Sequence, residues 1–436
     1  MKHYTPSEIA TELARFAPDD IQTLLEPSVG NGNLLSPFLL REDVGHIVAI
    51  DKNPHAIQEL TSTHEIYGNI SFVNEDFLEW SHPSNEILPF DCVVMNPPFM
   101  AKNLSLIKVD LKEEQISKKK KITHLPMEVV FILRAIRLLR PNGKLLAIVP
   151  ASVINASKMS WVREHLLSCG HIERVYELPR YTFEGIEAKT FLLVFEKSKA
   201  TESTILALYD NGNTQEEIIC EEEIKADLRL DYSYFAAKRK FGRYLRATEL
   251  EWTPLNEIAT TSRGKVPSPF SDNDVIHYKN FSEGFWQLKG DQENASPTRL
   301  SNHLICKRVG RDCLTTYGLG INTNDARFSD CVITIQIQDK SVDKIALLFC
   351  LRTFFTLPGV EGLLKLGTGA AYVSEKQLRE LHIPIGLHKT EPDLYRKYKR
   401  AVHSFDYTKM KQIEQAAAGK ITECSDLYCL DTVLAV

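Results

Sequence analysis

Four consecutive residues, Asn96-Pro97-Pro98-Phe99, are the densest concentration of usable chemistry in the sequence. They follow a short apolar run, Cys92 to Met95, that reads as a strand. Neither proline donates a backbone hydrogen bond and both rings fix φ, so the turn is stiff and its carbonyls point outward. The Asn96 amide oxygen and the Pro97 carbonyl form a rigid pair of acceptors beside the flat ring of Phe99. That combination suits a planar substrate carrying an amino group. A strand-terminating turn with a packed aromatic is the plainer reading of the same residues.

A second constellation lies upstream. Glu26-x-x-x-Gly30-x-Gly32 follows an apolar run and precedes a helical pattern, and without Cβ atoms the two glycines let the backbone approach a ligand closely. Asp51 lies near the roughly 20-residue spacing at which a carboxylate meets ribose hydroxyls in nucleotide-binding βαβ units. A pyrophosphate fits poorly, because the third glycine of G-x-G-x-x-G is missing and Glu26 adds negative charge. A cationic nucleoside suits the site better. S-adenosylmethionine meets the requirement, with Asp51 on the ribose, Asp76 and Phe77 on the adenine, and Glu26, Gly30 and Gly32 near the amino-acid part. Asn96 would then lie between the methyl donor and an acceptor amine. Glycines at a strand-to-helix turn are also commonly structural.

The elements that must position these groups alternate. Thr5-Pro6-Ser7-Glu8 reads as a capping box opening a helix whose Ile9, Leu13 and Phe16 share a face. Strands are expected at 21–25, 46–50, 70–73, 92–95, 144–149, 171–178 and 190–196, with helices at 126–139 and 157–169. Pro141-Asn142-Gly143 stops the first of those helices. Only about ten residues part the last two strands, too few for a crossover helix, so that pair is antiparallel. Each polar feature named so far sits at the C-terminal end of a strand, the edge of a doubly wound parallel sheet where ligands bind. The stretch 102–121, with lysines at 118 to 121, reads as a mobile loop over the site or as a solvated insert. Residues 197 to about 248 read as polar and broken, and the domain boundary is placed there. This gives a catalytic domain over 1–235 and a second domain over 245–436, without strict βα alternation.

Composition narrows the function classes. The 436 residues suffice for two domains, and a net charge of −5 argues against a protein that coats nucleic acid nonspecifically, leaving room for a local basic face. Nine cysteines without a C-x-x-C pair fit a reducing compartment, and the 13 histidines show no metal-ligand spacing, so no metal is expected. No run approaches the ~18 apolar residues of a membrane span, which points to a cytoplasmic protein.

Taken together, Tyr4-Thr5-Pro6, Glu26-Pro27-Ser28 with Gly30 and Gly32, Asp51, Asp76-Phe77, Asn96 to Phe99, Pro141-Asn142-Gly143 and Phe183 with Thr190 resemble the gamma class of DNA N6-adenine methyltransferases. The resemblance covers residues 4 to about 196; Ser28-Val29 departs from the more usual Ala-Cys at positions that contribute mainly backbone. It implies an α/β fold, a seven-stranded class I methyltransferase (Rossmann-like) domain followed by a mixed α+β target recognition domain. It also implies S-adenosylmethionine as cofactor, with Thr5, Pro6 and Ser28 joining the glycine loop around its methionine part, and a flipped adenine held by Asn96, Pro97, Pro98 and Phe99 and stacked on a second aromatic. That aromatic maps to Phe183, with Tyr181 two residues away.

In the C-terminal half, Ser374-x-x-Gln377, Leu378-x-x-Leu381 and Ile383-Pro384-Ile385 resemble the closing segment of target recognition domains. Arg263, Lys265, Lys307, Arg308 and Arg311, with Lys118 and Lys119 from the first half, are candidate DNA contacts or solvated faces. The Gly367-Thr368-Gly369 turn is a candidate DNA-facing loop or a plain turn. The expected partner is double-stranded DNA, and a chain starting at the Thr-Pro element suits a separate methyltransferase, either a lone enzyme or one paired with a restriction endonuclease encoded separately. Cytosine N4, an RNA base, a protein glutamine, or a non-catalytic specificity role are the rivals.

Overall fold

A computed structural model of the chain describes residues 4–64, 68–99, 106–183, 189–198, 203–210, 213–267, 274–288, 297–310, 312–339, 341–366 and 372–434. The chain divides into two compact units, Met1–Tyr232 and Ser233–Val436. Among the described residues no helix is long and apolar enough to cross a membrane.

The first unit opens with helix α1 (Ser7–Ala14) and continues as β1 (Ile21–Glu26), α2 (Ser36–Leu39), β2 (Val44–Ile50), α3 (Pro54–Thr63), β3 (Ile70–Val73), α4 (Phe77–Trp80) and β4 (Phe90–Met95). After these come β5 (Ile107–Asp110), β6 (Ile122–Leu125), α5 (Met127–Leu138), β7 (Leu139–Pro150), β8 (His171–Glu177), β9 (Thr190–Glu196), β10 (Thr204–Asp210) and β11 (Asn213–Ile219). One sheet runs β11-β10-β8-β9-β7-β4-β1-β2-β3. From β3 to β7 all neighbours are parallel, and β9 lies antiparallel between β7 and β8. Cys92 to Met95 are fully buried, as a central parallel strand covered on both faces must be.

Three expectations need correcting here. The sheet has nine strands, not seven, because the stretch read as broken supplies β10, parallel to β8, and β11, antiparallel to β10. The edge strand β11 is Asn-Thr-Gln-Glu-Glu-Ile-Ile, whose polar side chains at 214–216 are exposed, so it carries little apolar signal. Pro141-Asn142-Gly143 lies inside β7: Asn142 takes φ 62°, and the pairing with β4 slips between Phe90 and Cys92. The presumed mobile loop, where described, is a β5–β6 hairpin with Val109, Leu111 and Leu125 buried.

A buried ion pair fastens that hairpin to the body. Arg134 of α5 donates through Nε to Glu114 Oε1 at 2.8 Å and through Nη1 to the Ser81 carbonyl, just past α4, at 2.5 Å. Arg137 donates to the same carbonyl, and Phe77 packs on Phe131 with ring centroids 4.8 Å apart.

The second unit contains a six-stranded sheet in the order 259–263, 332–337, 300–307, 317–321, 285–286, 281–282. The helix Lys344–Thr356, buried throughout Ile345 to Phe354, begins at Asp343, whose carboxylate accepts the backbone N–H groups of Ile345 and Ala346 at 2.8 Å each. Arg352 on this helix pairs with Glu414 on Tyr407–Leu434 at 2.6 Å and donates to the Tyr317 carbonyl at 2.9 Å. The Tyr398 hydroxyl donates to the same carboxylate at 2.8 Å. Ser374 precedes a helix, Glu375–Glu380, without a side-chain cap.

Candidate active site

The parallel order β3-β2-β1-β4 brings Glu26, Asp51, Asp76 and Asn96 to one edge of the sheet. The turn after β1 is fastened across to β2, with Val29 N donating to the Ile50 carbonyl at 2.9 Å and Gly30 N to Asp51 Oδ2 at 2.8 Å. Asp51 Oδ1 accepts Asn53 N at 2.8 Å, so the carboxylate is fixed by one amide on each side. Gly30 and Gly32 adopt φ 56° and 82°, and a Cβ at Gly32 would stand 2.9 Å from Leu60 Cδ2. The left-handed backbone is what calls for glycine at position 32, since the Leu60 side-chain end could shift aside. The Tyr4 ring packs over Gly30, 3.7 Å from where a Cβ would be.

Glu26 is 1% exposed, and its Oε2 makes no hydrogen bond. Burial, and secondarily the nearby Asp51 charge, holds its carboxyl well above the ordinary carboxylate range. A buried acceptor without a donor, beside a glycine turn, is incomplete as it stands. The ammonium of an amino-acid moiety would satisfy it, whereas a phosphate would add a like charge. The residues present thus fit S-adenosylmethionine.

Asn96 is linked to the N-terminus of the chain. Its Nδ2 donates to Thr5 Oγ1 at 3.0 Å, and its backbone carbonyl accepts the Ser28 hydroxyl at 3.2 Å. Thr5 is 4% exposed, and its carbonyl accepts Asn33 Nδ2 at 2.6 Å. The capping-box expectation is corrected: α1 has Pro6 at its N-cap and no side-chain cap, because the Thr5 hydroxyl is engaged by Asn96. Among the described residues, nothing donates to Asn96 Oδ1. Pro97 is buried, Pro98 exposed, and Phe99 half-buried against the core cluster that contains Phe183. Asn33 escaped the sequence reading, since an asparagine after a glycine turn gives no periodic signal.

Two aromatic assignments change. Phe183 is 2% exposed within the core, so its ring is not presented to a substrate, whereas Tyr181 is 59% exposed with φ 66°. Phe77 is likewise 2% exposed, its ring turned onto Phe131, so at this position Asp76 is the side chain that reaches the edge. Asp76 itself accepts Leu78 N at 2.9 Å, capping α4. Of the basic candidates, Lys118, Lys119 and Lys265 are exposed, and Arg263 and Lys307 pair with Asp330 and Asp312. Arg308 donates to the Asp330 carbonyl at 2.6 Å. Arg311 and the Gly367-Thr368-Gly369 turn lie outside the described residues.

The strand order, with one antiparallel strand inserted beside β7, and a ligand edge built from a glycine turn and successive strand-end carboxylates define a class I S-adenosylmethionine-dependent methyltransferase fold. Residues 39–183 match the model of a family described as Eco57I restriction-modification methylase. The Type II methyltransferase M.AccI of Acinetobacter calcoaceticus is 22% identical over 213 residues, 48% of this chain and 36% of that protein. The chain thus spans little more than a third of the length of that curated relative. Among solved structures, a type I restriction-modification methyltransferase subunit from Streptococcus thermophilus is 21% identical, with 51% of this chain and 52% of that one covered and a TM-score of 0.39. The type IIG restriction endonuclease BpuSI is 11% identical, with 97% and 66% covered and a TM-score of 0.48.

Proposed function

We propose that the chain is a site-specific DNA adenine-N6 methyltransferase, the modification enzyme of a restriction-modification system. The observation that carries this reading is the orientation of Asn96, whose Nδ2 is taken by Thr5 while Oδ1 is left to accept an exocyclic amine. The adenine N6 lone pair is delocalised into the ring and is a poor nucleophile. Hydrogen bonds from the amino group to Asn96 Oδ1 and the Pro97 carbonyl localise it, and the half-buried Phe99 supports the ring. S-adenosylmethionine supplies the electrophilic methyl group. Glu26 and the glycine turn hold its amino-acid part, Asp51 its ribose and Asp76 its adenine, so that the transfer is governed by positioning. Adenine must first leave the duplex, at a cost of a few kcal/mol, and stacking offsets part of this. In this reading Tyr181 is the second stacking ring in place of Phe183, the second unit recognises the target sequence, and the enzyme acts in the cytoplasm.

The test is transfer of labelled methyl from S-adenosylmethionine to duplex DNA of varied sequence, followed by nucleoside analysis. N6-methyladenine, lost in Asn96→Ala, supports the reading. Label on N4 of cytosine, or on RNA or protein alone, overturns it.

A further inference from the structure

On the second unit the Tyr278 ring is 38% exposed, with Lys279 Nζ 5.7 Å and Lys307 Nζ 5.4 Å from its centroid and the His277 ring 4.2 Å away. Lys307 ends the strand 300–307, opposite Val332. The strand 259–263 ends in Arg263, opposite Ile333. Asp330 lies just before Val332 on the strand between them, and its Oδ2 accepts Arg263 Nη2 at 3.0 Å. Its backbone carbonyl accepts Arg263 Nε at 3.3 Å and Arg308 Nε at 2.6 Å. Asp312 pairs with Lys307 at 2.5 Å. One end of the sheet therefore gathers four cations, Arg263, Lys279, Lys307 and Arg308, around an exposed aromatic and two carboxylates, in a chain whose net charge is −5.

We propose that this end of the sheet docks the phosphate backbone of duplex DNA, and that Asp330 holds in the free protein the place that a phosphate oxygen takes in the complex. The inference rests on the reading of DNA as substrate. An Asp330 carboxylate in contact with the Arg263 fork is a close stand-in for a phosphate. The Arg263 and Asp330 side chains are 48% and 31% exposed, and an ion pair this open yields readily to a polyanionic strand. Contact with the Tyr278 ring keeps both ammoniums in place, so less side-chain freedom is lost when a phosphate binds. Asp330 is then an internal competitor: it suppresses binding to any isolated anion and gives way only where several phosphates arrive together.

The experiment measures the affinity of the full chain for a duplex oligonucleotide as a function of salt. Lys279→Ala and Arg263→Ala are each expected to weaken binding and to lower the slope of log affinity against log salt by about one. Asp330→Asn is expected to tighten binding by about three- to tenfold, a gain that disappears in an Arg263→Ala background. Cofactor affinity and melting temperature, unchanged in Lys279→Ala and Asp330→Asn, exclude misfolding. If the wild type binds duplex DNA but these variants leave affinity and slope unchanged, the inference fails and the DNA reading stands. If Asp330→Asn still tightens binding without Arg263, the exchange is wrong. A wild type that prefers single-stranded RNA, or ignores duplex DNA at low salt, overturns both.

Discussion

The side-chain amide of Asn96 donates to the Thr5 hydroxyl at 3.0 Å, joining groups 91 residues apart. This bond sets which end of the amide faces outward. Thr5→Val keeps the shape and removes the acceptor, so methyl-transfer kcat is expected to fall about five- to tenfold. Asn96→Ala removes the acceptor of the amine itself, and a fall of ~10²-fold or more is expected. Single-turnover kinetics on a common duplex compares the two; equal losses would mean that Thr5 does more than orient.

Glu26 gives a pH dependence of definite sign. Its folded-state pKa lies well above 4.5, so the stability it confers is full below that value and is lost as pH rises through the folded pKa. Glu26→Gln is therefore expected to raise the melting temperature of the cofactor-free protein above that window. A cationic ligand favours the ionised carboxylate, so wild-type cofactor affinity falls as pH drops through the same window. Calorimetry in two buffers of different ionisation enthalpy should detect proton release on binding in the wild type and none in Glu26→Gln.

The two aromatics before β9 separate cleanly. Phe183 is buried, and Phe183→Ala should destabilise the fold by about 3–5 kcal/mol. Tyr181→Ala, at an exposed position, should leave stability unchanged and reduce the 2-aminopurine fluorescence change of a flipped target base. A stable Phe183→Ala protein with normal Tyr181→Ala fluorescence would reverse the assignment.

The hairpin strut is also testable. Glu114→Gln leaves Arg134 without its carboxylate at a site where both side chains are almost wholly buried, and a loss of ~3–5 kcal/mol is expected. Hydrogen exchange should quicken first in β5 and β6, whose own pairing is only four residues deep.

What the sequence disclosed, and what it withheld, follows from where each signal resides. The central strands were legible because a buried parallel strand such as Cys92 to Met95 is continuously apolar. The edge strand β11 was hidden by its exposed polar face, and the start of β7, ahead of 144–149, by a proline and an asparagine that bend a strand without ending it. Thr5 carried two compatible signals, a helix cap and a site residue, and only the long-range contact with Asn96 decides between them. Phe183 and Tyr181 differ by two positions in a turn, where no period tells inside from outside.

The added pair β10 and β11 also changes the border of the sheet. Without it, β8 would offer a row of unpaired backbone groups beside side chains as apolar as Ile172 and Val175. With it, that border is a strand carrying Glu216 and Glu217, next to an Ile218 that is 60% exposed. Charged side chains on a sheet edge, here Glu217 and a Glu216 paired with Arg174 at 2.8 Å, discourage a second copy from adding its own strand. Trimming the chain to its seven-strand core would therefore yield a protein prone to self-association, and Glu216→Val with Glu217→Val should push the intact chain the same way.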